Sequence, residues 1–199
     1  MDVLMLWLYS ALLFCLQPFG VIYLLWRARK QPEYARHWGE RFAFYFKRQV
    51  SPASRRVWVH AVSLGETRAA APLIEALYLA QPDVHVILTH TTPTGRAAGQ
   101  ALFAAQLVDG RMTQVYVPYD LYTAVSRFFH IFAPTDVWVM ETEVWPNMVA
   151  AANRRGVRIS LVNGRLSDRS LKHSFRLSRL LGAAYSENKS ICNQTEEDA

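Results

Sequence analysis

From Val3 to Trp26 the chain reads VLMLWLYSALLFCLQPFGVIYLLW, with no charged position. A helix needs about twenty apolar residues to cross the core of a bilayer, so this run is long enough. Gln17 and Pro18 interrupt it, which a membrane helix tolerates. Tyr and Trp near its ends suit the membrane–water interfaces. A cleaved leader opens on basic residues, has a shorter apolar stretch and ends at a small-residue cleavage site. Here the start carries Asp2 and no Lys or Arg. The pattern predicts a retained anchor helix over 1–26; a buried or monotopic helix has the same signature.

After Pro52 the pattern changes. Short β-rich apolar runs occupy Val57–Val62, Val84–Thr89, Gln114–Val117, Val137–Met140 and Val157–Val162, with a weaker one near Ser190–Cys192. Helix-like segments lie between them, at Thr67–Ala80, Gly95–Gln106, Leu121–Phe132, Pro146–Arg155 and Ser170–Ala183. Near-continuous apolar strands alternating with helices predict an α/β fold with a parallel sheet covered on both faces. Right-handed crossovers make that sheet Rossmann-like over 57–199. In such sheets chemistry gathers at the carboxyl ends of the strands. The loops that follow the strands therefore predict one site: Ser63-Leu64-Gly65-Glu66, THTTPTGR ending at Arg96, VPYD ending at Asp120, METEVWPN from Met140, and NGRLSDRS from Asn163.

Composition narrows the class. The chain of 199 residues is 51% hydrophobic and 19% charged, which fits a globular or membrane-associated protein. The net charge of +6 calls for an anionic partner. The cations concentrate over 27–56, where Arg27, Arg29, Lys30, Arg36, Arg41, Lys47, Arg48, Arg55 and Arg56 face only Glu33 and Glu40. Charge bias of this kind keeps the segment cytoplasmic. Interleaved with His37, Trp38, Phe42, Phe44, Tyr45 and Phe46, it suits anionic lipid, or serves as a solvated basic linker. No nucleic-acid-binding motif is present. Cys15 and Cys192 make neither a disulfide framework nor a zinc motif.

Each cluster has a plain structural reading beside a functional one. The first loop is SLGE and lacks the three glycines of a dinucleotide fingerprint, which argues against a Rossmann oxidoreductase. Glu66 either caps a helix or, kept ionised by the helix dipole, serves as a general base. Glu141 and Glu143 share one face if the strand extends that far, as a carboxylate pair for catalysis or as partners of amides and arginines. TTPTGR is either an anion-holding loop with Arg96 or ordinary Thr capping. Arg165, Arg169, Lys172, His173, Arg176 and Arg179 either hold phosphates or form a solvated helix face. His60 and His90 lie near strand ends without metal-ligand spacing, as core or site-lining groups.

Taken together, HAVSLGE, HTTPTGR, YVPYDL, METEVWPN, NGRLSDRS and the terminal NQTEEDA, in this order behind an apolar helix, resemble the amino-terminal half of 3-deoxy-D-manno-octulosonic acid (Kdo) transferases. NGRLS stands where the family pattern has NARLS. The resemblance implies the first Rossmann domain of a GT-B-type glycosyltransferase. It implies Kdo transfer with inversion from CMP-Kdo to a lipid A precursor, in lipopolysaccharide core biosynthesis at the cytoplasmic face of the bacterial inner membrane. It implies no metal or other cofactor. It makes Glu66 the proton acceptor and associates Glu141 with transition-state stabilisation. Charge and position add Ser63, Gly65, Thr94, Gly95, Arg96 and Arg165 as acceptor-binding candidates.

In that fold the donor nucleotide sits mostly on a second domain, which has no counterpart in these residues. The expectation is that the chain by itself does not transfer Kdo. A membrane-associated module that binds anionic lipid without catalysis is the alternative. The anchor is expected to be single-pass or interfacial.

Overall fold

The computed structural model describes residues 3–45, 53, 55–140, 145–164 and 189–193. In chain order these form α1 (Val3–Lys30), a 3-10 turn (Pro32–Ala35), α2 (Trp38–Arg41), β1 (Arg56–His60), α3 (Leu64–Ala80), β2 (His85–His90), α4 (Pro93–Leu102), α5 (Ala104–Val108), β3 (Met112–Tyr116), α6 (Tyr122–Phe132), β4 (Asp136–Met140), α7 (Pro146–Arg154), β5 (Arg158–Gly164) and β6 (Lys189–Asn193). The strands make one sheet in the order β3-β2-β1-β4-β5-β6, every neighbouring pair parallel. The order runs outward in one direction from β1 and in the other from β4. α3, which follows β1, and α7, which follows β4, pack on opposite faces, the arrangement that places a crevice at the carboxyl ends of such strands.

Alternation along the strands divides the core. Val57 and Val59 of β1, with Val86 and Leu88 of β2, pack against Ile74 and Leu77 of α3 and against Phe103. Trp58 and Ile87, one residue out of phase, pack on the other face against Phe128 and Phe132 of α6 and Met148 of α7. Both faces of β1 and β2 are covered, which is why these two strands read as near-continuous apolar runs rather than as an alternation with solvent-facing polar positions.

The helix expected at Gly95–Gln106 is two helices. Phe103 ends α4 and turns inward to 1% exposure, so burial of one large ring breaks a segment of even helix propensity. The segment expected at Ser170–Ala183 lies outside the described residues. α1 continues four residues past Trp26, to Lys30.

α1 is long and apolar enough to cross a membrane by length and composition. It nevertheless touches the rest of the chain along one stripe. Tyr9 and Ser10 hydrogen-bond to Asp120 and Asn147, and Leu13 packs on the cluster of Ala43, Leu121 and Ala124. Leu24 is 4% exposed. Arg27 donates to the Tyr34 hydroxyl at 2.8 Å and lies over its ring.

Candidate active site

Ser63 is the N-cap of α3, and Glu66 occupies the third helical position. The Ser63 hydroxyl accepts from the Glu66 amide at 3.3 Å and donates to Glu66 Oε1 at 2.9 Å, while Val62 N–H donates to Glu66 Oε2 at 2.8 Å. This is a capping box in which the glutamate reaches back one residue beyond the cap. The box explains why α3 begins at Leu64, earlier than apolar periodicity alone suggests. Glu66 is buried, at the end of a central strand.

The second loop joins the first. Thr92 caps α4 by accepting from Gly95 N–H, and Pro93 takes the first helical position, where it has no N–H to orphan. The hydroxyls of Thr91 and Thr92 both donate to Val62 O. A Cβ on Gly95 would stand 3.2 Å from the Ser63 carbonyl carbon. The structure therefore brings Ser63, Gly65 and Glu66 beside Thr94, Gly95 and Arg96. Gly65 and Thr94 are exposed on this edge.

Arg96 turns inward. Its Nη1 donates to Glu40 Oε2 at 2.6 Å, and the same oxygen accepts from Tyr116 N–H at 2.7 Å. Arg41 and Arg96 both stack on the Tyr116 ring. Part of the basic segment, α2 with Glu40 and Arg41, is thereby buried in the domain.

Two histidines end adjacent strands. His90 is fully buried, and its Nδ1 lies 3.0 Å from Ala61 O while Nε2 receives the Gln114 amide at 2.8 Å. Those partners fit a neutral ring protonated at Nδ1. Burial pushes the imidazole down to about 3, with the nearby Arg96 charge adding to the effect. His60 lies against Thr89 Oγ1 at 3.0 Å and meets the Trp145 ring edge-to-face at 5.4 Å.

Asp120, which the sequence placed in a site loop without a role, proves to be a buried anchor. It is 5% exposed, and its carboxylate accepts from the backbone N–H of Asn147 and Met148, both at 2.9 Å. The Tyr9 hydroxyl donates a third bond at 3.1 Å. Burial is the dominant influence and pushes the carboxyl up to about 6, against the hydrogen bonds that lower it. The signal lay in α7. Pro146 opens that helix behind Trp145, which has no capping side chain, so the first N–H groups need a distant acceptor.

A cavity of about 310 Å³ lies between α1 and this loop, lined by Leu13, Gln17, Tyr119, Asp120 and Trp145 among others. Glu141 and Arg165 lie outside the described residues, as do Glu143 and the basic run from Arg169 to Arg179. Among the described residues no three His, Cys, Asp or Glu side chains cluster as metal ligands would.

Comparison with known proteins gives this edge its context. Residues 36–199 match the family described as 3-deoxy-D-manno-octulosonic-acid transferase (kdotransferase). A 3-deoxy-D-manno-octulosonic acid transferase of Bordetella pertussis is 45% identical over 158 residues, covering 79% of this chain and 36% of that protein. One of Haemophilus influenzae is 31% identical over 186 residues, covering 94% of this chain and 42% of that protein. A probable mitochondrial one of Arabidopsis thaliana is 33% identical over 165 residues, covering 83% and 35%. The chain thus spans well under half the length of these curated relatives. On the family match and these identities, the chain belongs to the 3-deoxy-D-manno-octulosonic-acid transferase family.

Proposed function

We propose that this chain is the acceptor-side half of an inverting Kdo transferase, with Glu66 as its base. The observation that carries the reading is the setting of Glu66: buried, fixed by Ser63 and Val62, and standing at the carboxyl edge of a central strand in a transferase-family sheet. A base must be held in position, and the capping box does that.

In this mechanism a sugar hydroxyl of a lipid A precursor gives its proton to Glu66. The hydroxyl oxygen forms a bond to the anomeric carbon of Kdo. The bond from that carbon to the CMP phosphate oxygen breaks, and CMP leaves with the electron pair. One displacement through an oxocarbenium-like state inverts the centre, as in inverting glycosidases where a carboxylate activates the attacking oxygen. Glu141 would stabilise the transition state. The donor would be held mostly by a second domain, with no metal or cofactor.

Gly65 and Thr94 stand open on the edge and suit contact with the acceptor. Ser63 and Gly95 would shape the backbone there, with Arg165 adding charge for acceptor phosphates. Arg96, held by Glu40, would contribute through the position of the α4 terminus. The test is incubation of the enzyme, complete with its donor-binding domain, with CMP-Kdo and a lipid A precursor. The expected product is the acceptor heavier by one or more Kdo units. Binding of the acceptor with no Kdo incorporated would overturn the reading in favour of a lipid-binding module.

A further inference from the structure

The contacts of α1 bear on its attitude to a membrane. If α1 crossed the bilayer, with the domain beyond Lys30, its first half would stand far from the domain. Trp7 and Lys30 are 23 residues apart, about 34 Å along a helix, which exceeds the roughly 30 Å hydrocarbon core. Yet the domain reaches the first half. Tyr9 donates to Asp120, Ser10 bonds Asn147, and Trp7 stacks on Tyr122 at 6.4 Å. The second half is held as well, by Arg27 on Tyr34.

Charges accompany the first half. Arg154 lies over the Tyr122 ring that stacks on Trp7, and Arg127 lines a groove with Trp7 and Phe14. A crossing helix would draw these two arginines, and with them α6 and α7, to hydrocarbon depth or past it. Intramembrane charges of that kind are rare and face a protein interior or a water-filled cavity. Here Arg127 is exposed beside Phe44.

The outward face is a different surface. Leu8, Leu12, Phe19 and Ile22 are 59–68% exposed. Phe44 and Tyr122, about half exposed, extend that surface onto the domain. Arg27, Arg29 and Lys30 close one end, and Arg127 and Arg154 flank the other. An apolar strip with cations at both ends matches a single leaflet with anionic headgroups.

We propose that α1 does not cross the bilayer but lies along it, docked lengthwise on the domain through Tyr9, Ser10 and Leu13, with its outward face in one leaflet and its flanking cations on anionic headgroups. Asp120 and Asn147 are then positioning residues that hold the carboxyl edge of the sheet at headgroup depth.

The inference does not rest on the transferase reading, because its readouts are topological. An epitope tag is fused before Met1 and the protein is expressed in bacteria. Spheroplasts are treated with protease before and after lysis, with one antibody to the tag and one to the α3–α5 region. The expected result is a membrane-bound protein whose tag and domain both survive until lysis. Loss of the tag from intact spheroplasts means a crossing helix and overturns the proposal. Loss of the domain alone means a crossing helix of reversed orientation and also overturns it. A protected protein that stays out of the membrane fraction overturns the lipid-facing surface. Docking is read separately with a Ser10→Cys, Asn147→Cys pair in a Cys15→Ser, Cys192→Ser background. A short thiol cross-linker should join the pair in membranes; failure to do so, with both cysteines reactive singly, overturns the lengthwise docking.

Discussion

Asp120 and His90 place opposite demands on stability between pH 3.8 and 6. The folded Asp120 carboxyl titrates near 6, above its ordinary 3.8, so the folded protein binds its proton first. Stability from this group rises as pH falls from about 6 towards 3.8. His90 is depressed from 6.5 to about 3, so the folded protein refuses a proton that the unfolded chain accepts. Its share is complete above 6.5 and is lost as pH falls towards 3. Asp120→Asn removes only the first effect. Denaturant midpoints measured from pH 4 to 7 should therefore fall more steeply towards acid in the variant than in the parent. Parallel curves would contradict the burial of a titrating Asp120.

Two glycines separate packing from access. A Cβ on Gly99 would collide with Gln114 Nε2, which is buried and already bonded to His90 and Arg96 O. Gly99→Ala should cost about 1–3 kcal/mol, the usual penalty of overpacking, in a thermal or denaturant melt. A Cβ on Gly65 would meet only Ser63 Oγ at 3.8 Å, an ordinary contact. Gly65→Ala should keep or slightly raise stability, since Ala favours helix by up to ~1 kcal/mol. If Gly65 borders the acceptor, the same variant raises KM for that substrate.

At the scale of elements, the basic segment is partly a clamp. α2 is four residues long and cannot persist alone, yet Glu40 pins it to the domain by accepting from both Arg96 and Tyr116 N–H. Glu40→Ala leaves Arg96 buried without that carboxylate. Breaking a buried pair in this way costs about 3–5 kcal/mol, and the melt should register it. This role was not legible in the sequence, where Glu40 is one acid in a basic run and Arg96 sits in a loop suited to anions. Their partnership joins residues 56 positions apart and needs the fold to be seen.

The elements themselves were legible because the central strands are covered on both faces: apolar runs and helix periodicity give the alternation of strands and helices along the chain almost directly. Boundaries set by one side chain, such as the break at Phe103, were not. The site was legible where local chemistry shapes it, at Ser63 and Glu66, whose spacing is that of a capping box. Asp120 was placed in the site by its loop, but its role was not legible, because it acts on a helix 26 residues further on.

On the scale of the whole molecule, the sheet, the family match and the docked α1 describe one arrangement. A crevice edge carrying Glu66 is held beside a helix with a long apolar outer face. The central claim is that Glu66 works as a base in addition to capping α3. The direct measurement is kcat for Kdo transfer by Glu66→Gln in the enzyme complete with its donor-binding domain, beside its melting temperature. The amide oxygen of Gln still accepts from Val62 N–H, so the cap and the fold persist, but the side chain no longer takes a proton. The account predicts a loss in kcat of about 10²–10⁴-fold with a melt within a few degrees of the parent. A kcat within a few-fold of the parent would leave Glu66 a cap alone and contradict the account.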